Sequence, residues 1–162
     1  MGVFGKERFA GVYPESLTGD IGQTPNLSDS PQDNKFDVAY HNAFRQQLTK
    51  EDANLVQTLG GAAKAVPGGL GYEAYTAIMA LKHAMLDSNF GGKADTQKLI
   101  KSMANLKVKQ SADFPGGDLV MNPNDHQGAT TTYVAQINGQ TEQVLTTIPP
   151  DKLPAIGSCV AK

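Results

Sequence analysis

The amino-acid sequence predicts an α/β chain that is incomplete by itself and ends in a small antiparallel hairpin. Three features predict this. Three helical segments occupy the middle of the chain. Short strands follow only after residue 117. Before that point strand candidates are few, so the helices have little sheet of their own to cover, and a helix layer needs a partner layer to bury its apolar stripe.

Residues 1–35 are rich in Gly, Pro, Asp, Ser and Asn. Only the neighbourhoods of Val3-Phe4 and Ala10–Tyr13 read as strands, because Pro14, Gly19, Gly22 and Pro25 punctuate the rest. Glu15, Asp20, Asp29, Asp33 and Asp37 make this region loosely acidic. They lack the D-x-D-x-D-G register of a calcium loop and read as a solvated stretch. Asn26 to Asn34 is a loop ending in helix-capping residue types.

The first helix is predicted over residues 36–48, where Phe36, Tyr40, Phe44 and Leu48 recur every four residues. A short helical turn starts near Thr49–Asp52. The second and strongest helix spans residues 71–87. Tyr75, Ile78, Met79, Leu81, Met85 and Leu86, with four alanines, leave little polar face, so the helix is expected to be largely buried. Asp95 is expected to cap a third helix that turns Leu99, Ile100, Met103 and Leu106 inward and its lysines to water. Phe114–Gly117 reads as a turn, and strands are expected at Asp118–Met121, Tyr133–Ile137 and Gln143–Ile148. Asn138-Gly139 is the best local signal for a type I′ hairpin turn.

Fourteen Lys and Arg against sixteen Asp and Glu give a net charge of −2, without a basic run, which argues against nucleic acid as a partner. The single cysteine, Cys159, offers neither an internal disulfide nor a cysteine metal site. No apolar run reaches the roughly 20 residues of a membrane span, and the first residues lack the apolar core of a secretory signal. No catalytic motif is present, and no cofactor or metal site is expected. His41, beside Tyr40, is expected to face solvent, and His83 to be a satisfied, partly buried histidine. Asp125-His126 could make an acid–base pair, but sequence neighbours usually point apart, and a loop-stabilising role is the better reading. The chain is not expected to be an enzyme.

From Phe36 onward the order of segments resembles the C-terminal part of type I periplasmic solute-binding proteins of the branched-chain amino-acid ABC transporters. The matching pieces are Phe36–Phe44, Gly71–Leu81, Asp95–Ile100 with Leu106, Phe114–Met121, and Asn124–Gln127 with Thr132–Val134 and Asn138-Gly139. Together they cover residues 36–150. The resemblance implies a bilobed fold of two Rossmann-like α/β lobes that close on a ligand, here incomplete. In these terms residues 1–35 are an irregular segment and a remnant of the second lobe. Residues 36–116 are the helical part of the first lobe. Residues 117–150 are the crossover and closing hairpin of the second lobe, and residues 151–162 a tail. The resemblance also implies a periplasmic location, a small amino-acid or amide-like ligand and a membrane permease as partner. Tyr72, which opens the matched second helix, would face the ligand, and Glu15 would be a weaker candidate, offering a carboxylate to the ligand ammonium. The alternative is a small α+β interaction module of the same descent with no small ligand.

Overall fold

In the computed structural model, residues 2–3, 12–27, 30–124 and 126–153 are described. Helix α1 spans Lys35–Glu51, α2 Ala53–Thr58, α3 Gly69–Asp87 and α4 Thr96–Ala104. The strands are β1 Gly2–Val3, β2 Ile21–Thr24, β3 Lys107–Val108, β4 Leu119–Met121, β5 Gly128–Thr130, β6 Thr132–Asn138 and β7 Thr141–Ile148.

Each helix has a local cause. Asn34 stands at the N-cap of α1, where its side-chain oxygen accepts from the backbone N–H of Phe36 at 2.7 Å and of Asp37 at 3.2 Å, two donors that have no partner within the helix. Asp52 ends α1 and caps α2, accepting from Leu55 N–H at 2.9 Å. Asp95 precedes α4 as expected, but its carboxylate is taken by Gly91 N–H and Lys98 Nζ, so it makes no side-chain cap.

The strands form two sheets rather than one meander. A four-stranded sheet runs β1-β2-β6-β7, with β1 parallel to β2 and the remaining pairs antiparallel. A three-stranded antiparallel sheet runs β3-β4-β5. The two short strands expected around Val3 and Tyr13 fare differently: Gly2–Val3 is β1, Phe4, Ala10 and Gly11 lie outside the described residues, and Val12-Tyr13 is not strand. Strand β2 was hidden by Gly22 and Pro25. It forms because β6 supplies a full register from Ile21↔Gln136 to Thr24↔Tyr133, and because Gly22 and Thr24 face the interior. Long-range pairing there overrides poor local propensity. The β6–β7 hairpin exists, but Asn138 is itself paired with Thr141. The turn is therefore Gly139-Gln140, with Gly139 at φ +60° and no positive φ at Gln140, a pattern with glycine at the first central position.

Two small cores result. Ala80 of α3, Leu106, Phe114 and Leu119 form one, joined by Met79, Met103, Val108 and Met121. Leu27, Tyr133 and Ala135 with Val144 form the other, beneath the four-stranded sheet. Helix α3 buries only one face, the ladder Tyr72, Thr76, Ala80 and Ala84. Contrary to the expectation that this helix is largely buried, Ile78 is 64% and Leu86 67% exposed, and Leu81 and Met85 are open beside them. The chain supplies a second layer for one side of this helix only. Ile100 of α4 is likewise exposed rather than inward.

Candidate functional site

Among the described residues, two clefts and one buried polar junction stand out as places where chemistry could act. The first cleft, about 590 Å³, lies between α1 and α3. Phe36, Tyr40 and Phe44 line it from α1 and Tyr75 from α3, closed by Pro67 and Ala112. The period-four aromatic stripe of α1 thus lines an open groove rather than a filled core. Tyr40 packs on Tyr75 with ring centres 5.0 Å apart and edge-on to Tyr72 at 5.7 Å. Burial, then the neighbouring Tyr75, pushes the Tyr40 phenol up to about 12. Tyr75 donates to Ala112 carbonyl oxygen at 3.1 Å. The second cleft, about 440 Å³, lies between α3, α4 and the three-stranded sheet, lined by Thr76, Ala80, Met103, Leu119 and Met121 among others.

The junction joins the start of α1, the start of α3, the turn before β4, and β6. Gly116 is its centre. Its N–H donates to the Tyr72 hydroxyl at 2.8 Å and its carbonyl accepts from the Tyr133 hydroxyl at 2.7 Å. A Cβ there would collide with the Tyr72 hydroxyl and come within 2.6 Å of the Pro25 carbonyl, so only glycine fits. The Asn34 amide donates to Pro115 carbonyl oxygen at 3.1 Å and to the Asp37 carboxylate, tying the α1 cap to the same turn.

Asp37 and His41 are each 1% exposed, and the Asp33 side chain is 7% exposed. The solvated reading of Asp33 and Asp37, and the solvent-facing reading of His41, are therefore corrected. Asp33 from the preceding segment and the 114–117 turn lie against the α1 start, an arrangement that no helical periodicity displays. Burial, reinforced by Asp33, raises the Asp37 carboxyl to about 7, against the lowering influence of His41 and the Asn34 backbone hydrogen bond. Asp37 Oδ1 has no hydrogen-bond partner. His41 Nδ1 lies 3.8 Å from Asp33 Oδ2. The signal for this cluster was in the sequence as acidic and histidine residues spaced by four, Asp33, Asp37 and His41.

Tyr72 lies in the junction, 2% exposed, its hydroxyl accepting from Gly116 and its ring against Tyr40. Glu15 lies in an exposed 3-10 turn, Glu15–Leu17. Neither is among the lining residues of these two clefts. His83 meets Asp113 at 2.8 Å and packs edge-on to Phe114, a satisfied histidine. His126 sits on an exposed loop at φ +58°, and Asp125 is outside the described residues. Among the described residues no cluster of three or more His, Cys, Asp or Glu is set to hold a metal ion. Among the described residues no helix is long and apolar enough to cross a membrane.

No protein-family model and no curated protein matches the chain. Solved structures do. One is a solute-binding protein of an ABC transporter from Rhodopseudomonas palustris BisB5, in complex with 3,4-dihydroxybenzoic acid, at TM-score 0.62 and 16% identity over 88% of this chain and 34% of that one. A second is a leucine-, isoleucine-, valine-, threonine- and alanine-binding protein from Brucella ovis in a closed conformation, at TM-score 0.60 and 17% identity over 85% and 33%. A third is an ABC-type branched-chain amino acid transporter protein from Rhodopseudomonas palustris CGA009, at TM-score 0.59 and 19% identity over 85% and 33%. This chain thus spans about a third of their length. The mixed helices, the two small sheets and the match over most of the chain give one conclusion: the chain has the fold of part of a type I periplasmic solute-binding protein.

Proposed function

We propose that the chain is part of the ligand-capturing component of an ABC transporter, working by closure of two lobes on a small solute and performing no chemistry. The observation that carries this reading is the pairing of two facts. The fold follows a third of several solute-binding proteins, and the aromatic groove of α1 and the apolar outer face of α3 stay uncovered. A helix apolar nearly all round belongs between two layers, and the remaining two thirds of the fold would provide the second. In this reading residues 1–35 and 117–150 belong to one lobe and residues 36–116 to the other. The protein acts in the periplasm beside a permease.

Tyr72 and Glu15 are proposed as ligand contacts. The Tyr72 hydroxyl accepts from Gly116 and donates to no described residue, so a ligand atom reaching the junction, where this side chain is 2% exposed, would find its proton unused. Ligands bound by the matched proteins, amino acids and hydroxybenzoates, define the first screen. The test is calorimetric titration and thermal melting of the protein with leucine, valine, alanine and 3,4-dihydroxybenzoate. Binding to the native state alone stabilises it by about 2.7 kcal/mol at a hundredfold excess over Kd. Tyr72→Phe should then weaken binding about tenfold, the loss of one buried hydrogen bond. No melting shift with any of these ligands would favour the second reading, an interaction module, for which the open α3 face is the supporting observation.

A further inference from the structure

The buried acid at the start of α1 is used by none of the roles above. Three facts converge on it. Asp37 is 1% exposed, and its Oδ1 has no hydrogen-bond partner. Its other oxygen is held by the Asn34 amide, which also grips Pro115 carbonyl oxygen in the turn before β4. That turn is clamped in turn by Tyr72 from α3 and Tyr133 from β6, both through Gly116. Asp37 therefore sits behind the point where the helical block meets the turn before β4 and, through Gly116 and Tyr133, strand β6 of the larger sheet.

The groups facing it come from every element packed there: Asp33 from the preceding loop, His41 one turn further along α1, Tyr72 from α3 and Tyr133 from β6. None is a lysine or arginine. A carboxylate there would lie beside a second acid, and the Asn34 hydrogen bonds and the nearby His41 offset only part of the cost of burying its charge. A neutral carboxylic acid fits without that cost.

We propose that Asp37 is a proton-operated latch: with its proton bound it holds the start of α1 against the Phe114–Gly117 turn, and on losing that proton to solvent it loosens this joint. Under the solute-binding reading, on which the functional meaning of the latch rests, the joint is the crossing between lobes, and the latch makes closure firmer in acid than in alkali. The chemistry balances as a simple ionisation: the O–H bond breaks, the electron pair stays on the carboxylate, and water takes the proton.

The experiment needs no ligand. Backbone amide NMR of the 162-residue chain follows Phe36, Asp37 and Gly116 from pH 5 to pH 9. The wild type is expected to show a shared titration step near neutrality at these amides. Their hydrogen-exchange protection, corrected for base catalysis, should fall by up to about tenfold per pH unit below that step and level off above it, as the linkage of one proton requires. Asp37→Asn should abolish the step while keeping the low-pH spectrum. Asp33→Asn, a second variant that removes the neighbouring negative charge, should move the step to lower pH. A flat wild-type profile, a step that survives in Asp37→Asn, or a step unmoved in Asp33→Asn would each overturn the latch. These outcomes leave ligand capture untouched, and a null ligand screen leaves the latch untouched, so the two proposals fail separately.

Discussion

At the scale of single residues, Gly116 and Asp37 dominate. Gly116→Ala would drive a methyl into the Tyr72 hydroxyl and the Pro25 carbonyl, one of them backbone that cannot swing aside. A loss of about 2–4 kcal/mol in urea denaturation is expected, as for overpacking of a rigid site. Tyr72→Phe leaves Gly116 N–H without its acceptor and should cost about 1–2 kcal/mol. For Asp37 the sign follows from the direction of the shift. Its folded-state value, about 7, lies above the unfolded 3.8. The folded state holds the proton more tightly, so stability is greatest below the unfolded value, falls as pH rises between the two, and levels off above the folded one. Asp37→Asn should thus gain on the order of 3 kcal/mol over wild type at pH 8 and little at pH 4, a contrast that paired melting curves will show. Equal pH profiles of the two proteins would remove Asp37 as the source.

At the scale of elements, α3 carries two unlike faces, and substitutions on them should part company. Ala84 is fully buried, and Ala84→Leu should cost about 1–3 kcal/mol. Ile78, 64% exposed, should accept lysine within about 0.5 kcal/mol in this chain, while lowering the binding of an apolar dye. If Ile78→Lys destabilises the isolated chain as much as Ala84→Leu does, the outer face of α3 is covered here after all. The helices were legible because their apolar residues recur at 3.6-residue spacing, and because Asn34 and Asp52 mark their starts with capping chemistry. The β6–β7 hairpin was legible from alternation and from the glycine at its turn. Strand β2 was not, since Gly22 and Pro25 read locally as breakers while pairing with β6, more than a hundred residues away, decides the matter. The junction was only half legible. Tyr72 stood out, but Asp37 and His41 are buried where Asp33 and the 114–117 turn come against the start of α1, and neither carries a periodic signal.

At the scale of the whole molecule, two small cores and two uncovered helix faces describe a chain that buries apolar surface sparingly. The groove between α1 and α3 and the outer stripe of α3 are exposed apolar surfaces of the kind that marks an interface. The chain by itself is therefore expected to bind an apolar dye such as anilinonaphthalene sulfonate in its folded state. Sedimentation velocity should show self-association that grows with concentration. A compact monomer that ignores the dye at all concentrations would contradict the exposed faces.

The phenols carry one more consequence. The protein has no tryptophan and five tyrosines, and burial holds Tyr40, Tyr72, Tyr75 and Tyr133 in their neutral form well into alkali. A native chain cannot release the protons of Tyr40, Tyr72 and Tyr133 gradually, because no cation among the described residues faces them, whereas the half-buried Tyr75 has Lys82 nearby. Its near-ultraviolet absorbance should change little as base is added and then jump in a cooperative step. At that moment the structure gives way and the rings reach water together, which makes the protein its own optical reporter of collapse.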